Sequence, residues 1–189
     1  MEEIEISLYE DKEPYRVTLT DDKVINITGQ SGSGKTTYVE EHYNDDSYLH
    51  IDTDEIFSDH RFANAKGINR ELGEYFRNKY KELPTLINDF DLIYNEILDY
   101  CKNINKIIVI DCTLFHAVKD ITTLKGRLII LRTSIDNCYN RLIERFKKNN
   151  PNYTEEELTE YKNRKHAIYS WYLQTNKFIH KIDDYVNNK

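Results

Sequence analysis

The sequence predicts an α/β protein, a doubly wound three-layer sandwich around a mostly parallel sheet. Apolar runs at residues 24–27, 47–51, 106–111 and 127–132 alternate with stretches of helical period. That is the pattern of strands joined by crossover helices. The stretch Ile107-Ile108-Val109-Ile110 is apolar throughout, as a strand buried on both faces must be. Residues able to do chemistry fall at the carboxyl ends of these runs, where such sheets bind ligands. A glycine-rich loop follows the first run, Asp52 and Asp54 follow the second, and Asp111 closes the third. With 189 residues, 39% of them hydrophobic, the chain can bury one sizeable core as a single domain. No repeat, low-complexity linker or domain boundary interrupts it.

Taken in order, Ile4-Glu5-Ile6-Ser7-Leu8 and Tyr15-Arg16-Val17-Thr18-Leu19 both alternate, with turn material between them. They predict an antiparallel hairpin over residues 1–21, laid beside the first core strand. Residues 35–41 open a helix directly from the glycine loop. Residues 68–81 have helical period, with Leu72, Tyr75, Phe76 and Tyr80 on one side. Pro84 starts another helix reaching Cys101, with Leu86, Phe90, Ile93, Ile97 and Tyr100 as its buried stripe. Ser134 or Asp136 can cap a helix carrying Tyr139, Leu142, Ile143 and Phe146. Asn149-Asn150-Pro151-Asn152 interrupts it. Thr154-Glu155-Glu156-Glu157 has capping-box character and predicts a last helix to about residue 175. Phe178-Ile179-His180-Lys181-Ile182 reads as a short final strand.

The loop Gly29-Gln30-Ser31-Gly32-Ser33-Gly34-Lys35-Thr36 fills every fixed position of the phosphate-binding pattern G-x-x-x-x-G-K-[ST]. It also stands in the required context, strand before and helix after. The glycines let backbone N–H groups turn inward toward phosphate oxygens, and the helix N-terminus adds its own unpaired N–H groups. Lys35 can reach the β- and γ-phosphates, and the Thr36 hydroxyl can take a Mg²⁺ site. Residues 29–37, Thr37 included, therefore predict binding of a nucleoside triphosphate, ATP or GTP. A glycine- and serine-rich turn matching by accident would not need these neighbours.

Asp111 has the position and type of a carboxylate that holds Mg²⁺ directly or through water. The plainer alternative is a cap on the Cys112-Thr113 loop. Cys112 stands where hydrolytic motors and cassette ATPases carry a water-polarising Glu, and their L-S-G-G signature is absent, so sustained hydrolysis is poorly supported. Asp52 and Asp54 put two carboxylates at the mouth of the second strand. One can face Mg²⁺ and the other an acceptor hydroxyl, whose proton a carboxylate would take. The alternative for Asp54 is a cap on the helix starting at Glu55.

These pieces resemble the P-loop kinases of nucleosides, nucleotides and small metabolites. The resemblance rests on residues 29–37, Ile51-Asp52-Thr53-Asp54, Val109-Ile110-Asp111 and Arg141-Leu142-Ile143-Glu144-Arg145, within residues 22–165. The Asp52/Asp54 pair is most similar to shikimate- and gluconate-type kinases, and also to toxin and polynucleotide kinases. The resemblance implies a P-loop NTPase fold and a helical lid, about residues 133–165, whose arginines close over the phosphates. Arg141 and Arg145, one helical turn apart, are the candidates, with Arg164 a third. The family's glycine-rich substrate loop after the third strand is missing, since Cys112-Thr113-Leu114-Phe115-His116 stands there. The N-terminal hairpin instead resembles the cassette ATPases. It motivates a second reading, a nucleotide-dependent switch that binds a protein partner.

Composition narrows the partners. The formal charge of −7 argues against nucleic acid as the substrate of a 5′-hydroxyl kinase, though a local basic patch would suffice. Cys101, Cys112 and Cys138 are odd in number and widely spaced, which predicts buried thiols in a reducing compartment. Residues 1–20 lack an apolar core of a secretory signal and no run reaches membrane-span length, so the expected place is cytoplasmic. His50, His60 and His116 lack metal-ligand spacing and read as ordinary residues. Arg61 and Arg70 follow the acidic pair and are candidates for an anionic acceptor. The acceptor pocket is expected from residues 54–101, and its identity is not encoded in any motif.

Overall fold

A computed structural model describes residues 10–189 of the chain, an α/β protein with a five-stranded mixed sheet. The strands are β1 (Lys12–Thr18), β2 (Val24–Thr28), β3 (Tyr48–Asp52), β4 (Ile107–Asp111) and β5 (Arg127–Arg132), in the order β1-β5-β2-β4-β3. Strands β2, β4 and β3 are parallel, with Ile27 and Asp52 both in register with Asp111. The ends of β3 and β4 therefore stand level, and β2 runs one residue further, to Thr28. Strand β5 lies beside β2. At its start a Cβ on Gly126 (φ 71°) would lie 2.0 Å from the Val24 carbonyl oxygen, which only glycine permits. Strand β1 is antiparallel to β5: Glu13 O accepts from Arg132 Nε at 2.6 Å, while Leu19 N donates to Gly126 O at 2.8 Å.

The expected hairpin is thus corrected in place. Its second arm exists as β1, but β1 pairs with β5 rather than with the first core strand. Residues 4–8, the other arm, lie outside the described residues.

The helices are α1 (Lys35–His42), α2 (Thr53–Phe57), α3 (Asp59–Phe62), α4 (Gly67–Lys79), α5 (Leu86–Cys101), α6 (Ile135–Asn149), α7 (Glu155–Lys162) and α8 (Lys165–Asn187). The chain falls into two compact units. One comprises Arg16–Thr28 and Thr36–Ile129, the other Gly29–Lys35, Ile130–Lys189 and the described part of Met1–Tyr15.

The core of the first unit comes from the strand runs and the stripes of α4 and α5. Ile27, Ile51, Leu72, Phe76 and Val109 are fully buried. On α5 the buried stripe is Phe90, Ile93, Tyr94, Ile97 and Cys101. Tyr100, expected inside, is instead 39% exposed, because the helix turns Cys101 inward at the end of the stripe. All five β2 residues are buried, Asn26 among them. Its side-chain amide donates to the carbonyls of Lys125 and Arg127 and accepts from Tyr94 Oη at 2.9 Å. Those bonds offset the desolvation of a polar side chain in the middle of a strand.

The second unit is helical around Ile135 and Ile168, with Tyr139, Leu142, Tyr169, Tyr172 and Leu173 packed against them. Helix α7 has the predicted capping box: Glu157 N donates to Thr154 Oγ1 and Thr154 N to Glu157 Oε2. It stops at Asn163 rather than running on, and α8 starts afresh at Lys165. The run 178–182, expected as a strand, lies inside α8, where Phe178 and Ile182 bury one face four residues apart. No helix among the described residues is long and apolar enough to cross a membrane.

Candidate functional site

The glycine loop between β2 and α1 is held by side chains that bond its carbonyl groups. Lys35 Nζ curls back to donate to Gly29 O at 3.1 Å and Gln30 O at 3.4 Å. Arg141 Nη1, from α6, donates to Gly32 O at 3.2 Å, and Thr133 Oγ1 donates to Ser33 O at 2.8 Å. The carbonyls of Gly29, Gln30, Gly32 and Ser33 are so engaged, and within the loop Ser33 N donates to Gln30 O at 2.9 Å. Gly32 has φ 82°, and a Cβ there would sit 2.8 Å from Cys138 O, so the loop hugs the α6 backbone at that point. The Ser33 hydroxyl and the Gln30 side-chain oxygen are buried without a hydrogen-bond partner. Two orphaned polar groups in one loop are what an absent polar ligand would satisfy. Arg145, a turn beyond Arg141, is exposed and makes no polar contact among the described residues, and Thr37 is exposed on α1.

Thr36 follows Lys35 directly. Its Oγ1 donates to Asp111 Oδ2 at 3.3 Å, joining the last fixed loop position to the carboxylate that closes β4. The same oxygen is 3.2 Å from His50 Nε2. Burial disfavours the charged imidazole of His50. The hydrogen bond and charge of Asp111, with Asp52 and Glu55 behind it, overcome that and raise its pKa above the usual histidine value. Asp111 is 4% exposed, and its backbone carbonyl accepts from Thr53 Oγ1 at 3.1 Å. Cys112, next in the chain, is a buried thiol whose pKa burial pushes up to about 12, so it stays protonated and inert.

The acidic pair divides its roles differently from the cap alternative considered for Asp54. Asp52 is the N-cap of α2: its Oδ1 accepts from Asp54 N at 3.0 Å. Its Oδ2 accepts from Arg61 Nη2 at 3.1 Å, and its own N–H donates to Asn69 Oδ1 at 3.1 Å. Asp52 is 4% exposed. Burial raises its pKa, repulsion from Asp111 adds to that, and Arg61 works the other way. Asp54 lies in the first turn of α2 with 57% of its side chain exposed, 3.6 Å from Arg61 Nη1. The α2 start comes two residues earlier than expected because β3 ends on Asp52 itself, whose extended backbone suits a cap.

Arg61 is thus shared by Asp52, Asp54 and Glu55, and Asn69 bridges Asp52 to Glu55 through a 2.9 Å bond. Arg70 is occupied by Glu74, Phe62 O and the Phe62 ring. The contact between His50 and Asp111 and the role of Asn69 were not visible in the sequence reading. A signal for His50 exists: it stands two residues before Asp52, and residues two apart share a strand face. Among the described residues no group of three or more His, Cys, Asp or Glu is arranged to hold a metal ion. No protein-family model matches the chain, and no curated protein matches it.

Proposed function

We propose that the chain is a kinase with a P-loop NTPase fold. It transfers the terminal phosphoryl group of ATP or GTP, with Mg²⁺, to an oxygen of a small metabolite, nucleoside or nucleotide. The observation that carries this reading is the Thr36–Asp111 hydrogen bond of 3.3 Å, which pairs the loop's terminal hydroxyl with a strand-end carboxylate. The residues fit Mg²⁺, because a hydroxyl and a carboxylate are the hard oxygen donors that it takes. When bound, the metal supplies charge neutralisation at the β- and γ-phosphates.

The chain's own groups do the rest. Lys35, tethered over the loop by Gly29 O and Gln30 O, offers its charge to phosphate oxygens. Arg141, already bonded to Gly32 O, adds a second cation to the loop, with Arg145 a turn away. The acceptor oxygen attacks the γ-phosphorus as the bond to the β–γ bridging oxygen breaks. Asp54, the exposed carboxylate of its pair, takes the acceptor proton. Asp52, with both oxygens engaged, is a positioning residue that fixes the start of α2 and Arg61.

The test is transfer of labelled γ-phosphate from ATP and GTP to a panel of metabolites, nucleosides and nucleotides. One acceptor class should be phosphorylated in a Mg²⁺-dependent way, and Lys35→Ala should lose that activity by at least two orders of magnitude. Normal turnover by Lys35→Ala would sink the proposal. So would nucleotide hydrolysis stimulated only by a protein partner, the behaviour of a switch.

A further inference from the structure

We infer that the cavity between the glycine loop and helices α6 and α8 binds a planar heteroaromatic ring carrying an N–H donor, a nucleobase in chemical class. This rests on the kinase reading for its biological use, but its evidence is separate. The cavity measures about 220 Å³ and is lined by Gln30, Ser31, Tyr139, Leu142, Tyr161, Arg164, Ala167, Ile168 and Trp171. It is smaller than the roughly 300–1,000 Å³ of pockets for drug-sized ligands, so it suits one ring system. Tyr139, Tyr161 and Trp171 are its aromatic lining, and Leu142 and Ile168 are aliphatic lining. Arg164 lies over the Tyr161 ring, its Cζ 5.0 Å from the centroid, extending that flat wall with a cation. Flat π-surfaces of this kind hold bases by stacking.

One group sets the polarity of the ligand. Gln30 is 8% exposed, and its side-chain oxygen is buried with no hydrogen-bond partner. Gln30 lines the cavity, and an orphaned acceptor in its wall costs stability unless something donates to it. An exocyclic amine or ring N–H would do so. Gln30 and Ser31 belong to the same loop as Lys35, so the chain places ring recognition within a few residues of its phosphate-binding lysine. The ring can belong to the nucleoside triphosphate or to the acceptor, and both sources share this chemistry.

Trp171 is the chain's single tryptophan, so its fluorescence reports on this cavity alone. The full chain is titrated with adenosine, guanosine, cytidine and uridine, which carry no phosphate. At least one should change Trp171 emission saturably. Gln30→Leu, close in shape, and Tyr161→Ala should each weaken that binding about ten- to hundredfold at an unchanged melting temperature. If the ring is the donor's, a non-hydrolysable triphosphate of the same base displaces the nucleoside; if it is the acceptor's, the nucleoside binds alongside. Absence of a saturable change with all four nucleosides overturns the inference, as does binding indifferent to both substitutions. Phosphoryl transfer that needs Lys35 in a chain blind to nucleosides would overturn the cavity alone. Nucleoside binding in a chain whose turnover ignores Lys35→Ala would overturn the loop reading alone.

Discussion

Among single residues, the acidic pair separates capping from chemistry. Asp52 caps α2 and anchors Arg61, whereas Asp54 contributes neither bond to the cap through its side chain. Asp54→Asn therefore removes a charge without removing a structural contact of the cap. It should lower kcat by about two to four orders of magnitude, the worth of a general base, and leave the melting temperature and KM for ATP nearly unchanged. Unaltered kcat would return Asp54 to an ordinary surface carboxylate. Asp52→Ala should act in the opposite sense, costing about 0.5–2 kcal/mol of stability through the lost cap, measured by urea unfolding. The sequence put Asp52, Asp54 and Asp111 together because strand ends gather their trailing residues at one edge of a sheet. It could not say which aspartate caps, since that depends on where β3 stops. His50 was passed over for a similar reason: its partner Asp111 is 61 residues away and is brought close only by strand pairing.

Elements were legible where local rules and burial agree. The four core strands, the helix after the loop and the capping box at Thr154 all combine a period with a cap or a turn. Residues 178–182 show the limit, because a short apolar run fits either a strand or one face of a helix. The arbitrating signal lies outside the run: Ile168, Tyr172, Thr175, Phe178 and Ile182 recur every three or four residues along α8. Helix α6 makes a sharper case, because its N-terminus is tied twice. Ser134 Oγ accepts from Asn137 N at 3.2 Å, while Asp11 accepts from Ser134 N and from Asn137 Nδ2, both at 2.6 Å. Only the first was readable from neighbouring residues; Asp11 is more than a hundred positions away. Since α6 also carries Arg141, this end of the helix bears on the glycine loop. Ser134→Ala should destabilise the protein by about 1 kcal/mol, and Asp11→Ala by a comparable amount. Additive losses in the double variant would show two independent ties, and a smaller total would show one shared tie.

Over the whole molecule, the formal charge of −7 disfavours a polyanion as partner. Binding to the native state alone raises apparent stability by RT ln(1 + [L]/Kd), about 2.7 kcal/mol at a hundredfold excess over Kd. For a chain of this length each kcal/mol moves the melting temperature by about 2–4 °C. Mg·ATP or Mg·GTP at that excess should therefore raise Tm by about 5–10 °C. Three controls give the shift its meaning. Chelating the metal should shrink it, because Thr36 and Asp111 then face an uncompensated triphosphate, and Asp111 meets it with a like charge. Asp111→Asn should remove much of the metal dependence, since an amide is a poorer partner for Mg²⁺ than a carboxylate. Lys35→Ala should abolish most of the shift, because the loop loses the cation held over it by Gly29 O and Gln30 O. A shift that survives chelation and Lys35→Ala at full size would mean that the triphosphate binds somewhere other than the glycine loop.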